Sequence, residues 1–268
     1  MYIELHTHSN FSFLDGASRT EELVERAASL GMPALAMTDH NGLYNACLFS
    51  RTAKEAGIKP ILGAEITLKE GFHMTLLVEN STGYANLSRL ITKAHLAGSK
   101  GDPLFLLSAL QGCTEGLICL SGCRSGKIAV LLTKGEKEQA FTAVKEHAAL
   151  FGGHNFFIEI QNHLVPEDKR LSLQLIDLAK QAGLQTIATN NVHYALRDDH
   201  ALHDVLVCIK NKVTLDRSAP FRRQNSEFYL KGYEEMIQLP WIPREAILRT
   251  QEIAERCNFH IDFSSFAY

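Results

Sequence analysis

The chain has 268 residues, a net charge of −3 and a pI near 6.5. That balance excludes a protein that grips duplex nucleic acid with its whole surface, so any such contact is local or is supplied by other parts of a larger protein. Its 46% hydrophobic residues can bury a sizeable core, while its apolar runs fall far short of the roughly 20 residues a membrane span needs.

Strand-like and helix-like segments alternate from the first residues, which points to a parallel α/β architecture. Tyr2–His8 reads as a strand, with no basic-then-apolar leader before it. Ser18 and Glu21 form a candidate capping box, Leu23, Val24, Ala27 and Leu30 follow at helical spacing, and Gly31 stops that helix. Ala34–Thr38 is a second strand, Leu43–Ala56 a helix ending at Gly57, and Pro60 to about Leu68 a third strand. Lys69 to Phe72 reads as a hairpin turn, with His73–Glu79 as the returning strand.

Helices around Tyr84–Leu96 and Lys127–Phe151 flank a strand at Leu117–Ser121. Phe156–Gln161 is another strand, Pro166–Ala182 a helix closed by Gly183, and Gln185–Thr189 the last clear strand. Beyond His193 the pattern changes: Ala201–Lys210 is helical, Arg217–Asn225 polar and irregular, and Tyr233–Cys257 mostly helical with breaks near Pro240 and Pro243. With no repeat or composition break, the chain reads as one domain over 1–268. Residues 1–194 carry the motifs and 195–268 form a mostly helical extension. Six or seven strand–helix units suggest a closed or distorted barrel, with a doubly wound open sheet as the alternative. The six cysteines lack framework spacing, so reduced thiols and a cytoplasmic location are expected.

Chemistry-bearing residues recur where strands end. His6 and His8 lie two apart on a strand and so share a face, within reach of one pocket. Asp15 follows in a short loop. Asp39 and His40 end the next apolar strand, where a lone histidine would more often be a hydrogen-bonding residue than a ligand. Glu65 follows Gly63-Ala64, and the hairpin brings His73 back beside the residues just after it.

Cys123 follows Ser121-Gly122; taken singly it reads as a small buried apolar residue, although a thiolate is also a good zinc ligand. Asn191 and His193 close the last strand with the spacing of His6 and His8. Gly122 to Lys127 is one residue short of a P-loop, which removes nucleotide binding there. Each motif is weak alone, yet packing gives no reason for their recurrence at strand ends, and a multinuclear metal site does. The remaining histidines, His200 and His203 among them, need no such role. His163 is kept as a candidate substrate contact, and Arg124 and Lys127 as candidate phosphate contacts.

Leu5-His6-Thr7-His8-Ser9, Phe13-Leu14-Asp15-Gly16-Ala17, Ala36 to His40, Gly63-Ala64-Glu65, Leu120 to Cys123 and Ala188 to Tyr194, in this order, resemble the polymerase-and-histidinol-phosphatase (PHP) domain of bacterial DNA polymerase III alpha subunits. The Phe11 to Asp15 wording is closer to the error-prone type than to the main replicative one. The resemblance implies a distorted seven-stranded β/α barrel with up to three divalent metals (zinc, manganese, iron or magnesium). Its ligand positions fall on His6, His8, Asp15, His40, Glu65, His73, Cys123, Asn191 and His193, with catalysis at Asp15, His40 and His193. At Asn191 the chain departs from the family pattern, which usually has aspartate. An amide ligates without contributing charge, so metal affinity should weaken there.

Three functions follow as expectations. The first is a metal-dependent phosphodiesterase trimming 3′ ends of single-stranded DNA. The second is a silent metal-binding module bracing the rest of a polymerase alpha subunit, with other replisome subunits as further partners. A histidinol-phosphatase-like phosphatase is disfavoured by the polymerase-like loop wording. Nothing in the chain resembles the carboxylates of a polymerase palm, so DNA synthesis by these residues is not expected, nor is a membrane partner.

Overall fold

The computed structural model describes residues 1–262, so the end of the helical extension expected over 195–268 lies outside the described residues. Six strands form one mixed sheet in chain order: β1 (Ala34–Met37), β2 (Lys59–Thr67), β3 (His73–Val78), β4 (Leu117–Leu120), β5 (Phe156–Ile160) and β6 (Thr186–Ala188). β1 and β2 are parallel, β3 is antiparallel to both its neighbours, and β4, β5 and β6 are parallel. The reversal from β2 to β3 is the expected hairpin, with Thr67 opposite His73.

The segment expected as a first strand, Tyr2–His8, is not one: it carries only an isolated bridge, Thr7 to Val192. The reason lies in where its amides go. Ile3 N–H donates to Thr250 Oγ1, Leu5 and His6 N–H donate to Glu4 Oε1, and Thr7 N–H donates to Thr38 Oγ1. Side chains thus take the donors that a ladder would need. The segment still touches both edges of the sheet. Ala36 N–H donates to Glu4 O and Thr38 N–H to Thr7 O on one side, and on the other His8 N–H donates to Val192 O and Val192 N–H to His6 O.

Two further boundaries moved. The first helix, α1 (Thr20–Ser29), is capped one residue later than expected, with Glu22 accepting from Arg19 N–H at 2.7 Å. Ser18 is engaged elsewhere, its Oγ accepting from Ala195 N–H at 2.8 Å. The expected Lys127–Phe151 helix is two helices after α2 (Ala46–Glu55) and α3 (Ser81–Ala97): α4 (Lys127–Lys134) ends on Gly135 at φ +85°, and α5 (Lys137–Phe151) begins after it. Glycine reaches that conformation without the Cβ clash that other residues meet. α6 (Asp168–Ala182), α7 (His200–Asn211), α8 (Tyr233–Met236) and α9 (Arg244–Arg256) complete the helices. None is long and apolar enough to cross a membrane.

The curled sheet has two apolar faces. The outer packs against the helices, with Phe49, Leu87, Val144 and Leu175 as examples. The inner is a separate cluster in which Ala34, Ile61, Leu77, Ile118, Phe157 and Ile187 meet Ile253, Ala254 and Cys257 of α9 and its C-cap. The last helix therefore fills the inside at one end of the sheet. The other end, where the parallel strands finish, carries the polar residues.

Candidate metal centre

Glu65 sits two residues beyond Gly63 and four beyond Ile61 on β2, so it projects inward with Ile61, past the apolar filling. It is 1% exposed and four imidazoles converge on it. Its Oε1 lies 3.2 Å from His6 Nε2; its Oε2 lies 3.4 Å from His8 Nε2 and 3.2 Å from both His40 Nδ1 and His73 Nδ1. Cys123 Sγ lies 3.6 Å from His73 Nδ1. Asp15 forms the other side, with Oδ2 2.8 Å from His40 Nε2 and Oδ1 3.7 Å from His193 Nε2. All nine expected ligand residues thus gather at one end of the sheet. Asp15, His40, Glu65, His73, Cys123, Asn191 and His193 line a cavity of about 100 Å³ above His6 and His8.

The loops that present these groups are held in demanding backbone shapes. Leu14, Asn41, Leu164 and Asn191, next to or within the site, have φ of +59°, +54°, +57° and +46°. A non-glycine residue there costs on the order of 1–2 kcal/mol, which packing and hydrogen bonding around the site have to offset.

Hydrogen bonds behind the rings fix which nitrogen faces inward. His6 Nδ1–H donates to Glu159 Oε1 at 2.7 Å, because a carboxylate can only accept. Ser12 Oγ–H donates to Asp39 Oδ1 at 2.6 Å, so its lone pairs accept from His8 Nδ1–H and His40 N–H, both at 3.1 Å. His193 Nδ1–H donates to the Asn191 carbonyl at 2.7 Å. With the rings neutral, as metal ligation requires, this leaves the Nε2 lone pair of His6, His8 and His193 pointing into the site.

That arrangement suits cations. Nε2 of His6 and His8, Oε1 of Glu65 and Oδ1 of Asn191 are buried without a hydrogen bond. Buried acceptors facing one another are costly unless something positive lies among them. Two sets of three ligand atoms, His6–His8–Glu65 and His40–Glu65–His73, each lie within 4.8 Å of one another. Imidazole, carboxylate and thiol donors in this mixture fit borderline divalent ions.

Charge within the cluster follows the same geometry. Burial would raise the Glu65 carboxyl, but His6 and His73 outweigh it and hold it well below the ordinary value. Asp15 behaves alike, lowered by His193, His203, His40 and Arg223 against its burial. Burial disfavours a charged His6, yet Glu159 and Glu65 raise it. His8 and His193 are pushed down, first by burial and then by His40 and Arg223 respectively. Burial, then Glu65, pushes the Cys123 thiol up, so a metal rather than a base would be needed to make it a thiolate.

The substrate candidates divide. Arg124 and His163 line the cavity, Arg124 tied to Asp168 and His163 stacked on Phe228 at 3.7 Å. Lys127 is not among the lining residues, and its Nζ pairs with Glu146 at 3.1 Å. Three residues escaped the sequence reading, and a fourth, His203, was there given no role at the site. Glu159 stands behind His6, Arg223 contacts His193 Nε2, and His203 and Lys210 lie 3.9 and 3.8 Å from the Asp15 carboxylate. Glu159 left a signal, a carboxylate inside the apolar run Phe156–Ile160. Arg223, in the polar irregular stretch, left none.

The PHP domain family model matches residues 4–163. An error-prone DNA polymerase of Symbiobacterium thermophilum is 42% identical over 98% of this chain and 26% of its own length. DNA polymerase III alpha subunits of Treponema pallidum and Thermus aquaticus are 39% and 38% identical over 97% and 96% of this chain, and 23% of theirs. The chain spans about a quarter of the length of these relatives. A family match over more than half of the sequence, together with relatives of about 40% identity along nearly all of it, makes this chain a member of the PHP domain family.

Proposed function

We propose that this chain is the PHP domain of a DNA polymerase III alpha subunit and that its cluster is a divalent-metal centre for phosphodiester hydrolysis, removing nucleotides from the 3′ end of single-stranded DNA. The observation that carries the reading is the convergence of four imidazoles on the one buried carboxylate of Glu65. His6, His8, Asp15, His40, Glu65, His73, Cys123, Asn191 and His193 would hold up to three metals, of zinc, manganese, iron or magnesium type. When bound, such ions supply Lewis acidity and an activated water for attack on phosphorus.

The chain's own residues do the rest. Asp15, His40 and His193 meet at the open side, where His40 and Asp15 can pass a proton across 2.8 Å. Arg124, half-exposed at the cavity wall, is placed to meet a phosphate. In this reading the whole sequence is one domain, a distorted seven-stranded barrel in which Tyr2–His8 serves as the remaining stave between β1 and the end of β6. The rest of an alpha subunit is its partner, and the cytoplasm its location.

One observation favours a second reading, a metal-binding brace without hydrolytic activity. Asn191 is neutral and its Oδ1 has no hydrogen bond, so on that side of the cluster Asp15 is left without the second anion an aspartate would supply. The deciding experiment offers the zinc- or manganese-loaded chain a 5′-labelled single strand. A ladder shortening from the 3′ end, lost with EDTA and in Glu65→Gln, is the expected result. Intact DNA from protein with verified metal content would leave only the brace.

A further inference from the structure

The cluster is lopsided in charge. Among the described residues, both sets of three convergent ligand atoms contain Glu65, and neither contains Asp15 or His193. At the Asp15 side the space is already served by cations from the protein. The Arg223 guanidinium contacts His193 Nε2, the lone pair that the Nδ1–H bond to Asn191 O leaves facing inward. Its carbon lies 4.0 Å from the centre of the Phe228 ring, a cation–π contact that helps hold the guanidinium there. Lys210 Nζ lies 3.8 Å from Asp15 Oδ2.

We propose that Arg223 takes the place of a metal ion at the Asp15–His193 side, so that the centre binds metal only around Glu65. This inference rests on the metal-centre reading above and narrows it. A guanidinium is always protonated and only donates, so it satisfies an imidazole lone pair as a cation would. It also repels a divalent ion brought to the same nitrogen. The neutral Asn191 side chain beside it contributes no anion that would favour adding a further divalent charge. The donor set is thus split into a side built for metal, with His6, His8, His40 and His73 on Glu65, and a side neutralised from within the chain.

The test is a count. Wild-type protein and the Arg223→Gln variant, with Arg223→Met as a second neutral replacement, are equilibrated with excess zinc, desalted and measured for zinc per chain, their folding checked by circular dichroism. The wild type should retain two ions, one for each set on Glu65, and the neutral variants one more. Three ions in the wild type, or folded variants that retain no more than the wild type, overturn the inference. A wild type that retains none overturns the metal-centre reading itself, which separates the two failures.

Discussion

Glu159 stands directly behind His6, its Oε1 2.7 Å from the ring Nδ1 and both side chains buried. The same oxygen accepts from Gln161 Nε2 at 2.8 Å and from the Thr189 hydroxyl. The carboxylate is held from three sides, and through it the ring's Nε2 is aimed at Glu65. Outer partners of this kind typically contribute 10–100-fold in metal affinity.

Glu159→Gln should therefore weaken zinc binding by roughly 10–100-fold without emptying the site of ligands. Competition against a chromogenic chelator measures this, and an unchanged affinity in a folded variant would remove Glu159 from the metal's support.

Metal removal should lower thermal stability. A ligand present at about 100 times its dissociation constant stabilises by roughly 2.7 kcal/mol, which for a chain of this size is a shift of at least about 5 °C. Melting with and without EDTA tests it, after elemental analysis has confirmed that the metal was bound and then removed. Coincident melts would mean that the cluster folds equally well without ions.

Asn191→Asp changes charge with little change of shape, since both residues tolerate the φ of +46° found there. In the Arg223→Gln background it should tighten the additional zinc ion relative to Arg223→Gln alone. Equal affinity would show that position 191 does not face the metal.

Gly16 follows Asp15, and a Cβ there would lie 1.9 Å from the Ser9 carbonyl oxygen. Gly16→Ala must push apart the turn that places Asp15, at a cost of about 1–3 kcal/mol. Urea denaturation reads the loss, and a variant as stable as wild type would show that this loop is slack.

A pH effect unrelated to the metal comes from His147. It is 2% exposed, both ring nitrogens lack hydrogen bonds, and burial followed by the Lys127 charge lowers it to about 4. The folded state thus resists a proton that the unfolded chain accepts near 6.5. The stability contribution is complete above that value and is lost as pH falls from there towards 4, by about 2 kcal/mol between pH 7.5 and 5. Against a His147→Leu reference this slope should appear only in the wild type. Parallel curves would mean that water reaches the ring.

The site was more legible than the scaffold around it. His6 and His8, Asp15, His40, Glu65, His73, Cys123, Asn191 and His193 could be named as candidates because chemistry recurring near strand ends stands out against apolar runs and because the family resemblance implies these ligand positions. The hairpin returning His73 to Glu65 was legible from local turn residues. Tyr2–His8 misled because its alternation looks like a strand, while its amides are taken by Glu4, Thr38 and Thr250, the last 247 positions away. Long-range partners of that kind leave no periodicity. Arg223 was invisible for the same reason: its role comes from where the 217–225 stretch lies over Phe228, not from any spacing within it.

The placement of α9 also dictates when this molecule can exist at all. His6 and His8 precede α9 by most of the described sequence, but the inner filling they sit above is not complete without Ile253, Ala254 and Cys257. Contacts of such sequence separation make folding slow and late. Residues 4–163, the stretch the family model recognises, would leave that inner face open to water. The first ligands of the centre and the helix that closes the filling beneath them thus lie at opposite ends of the described residues.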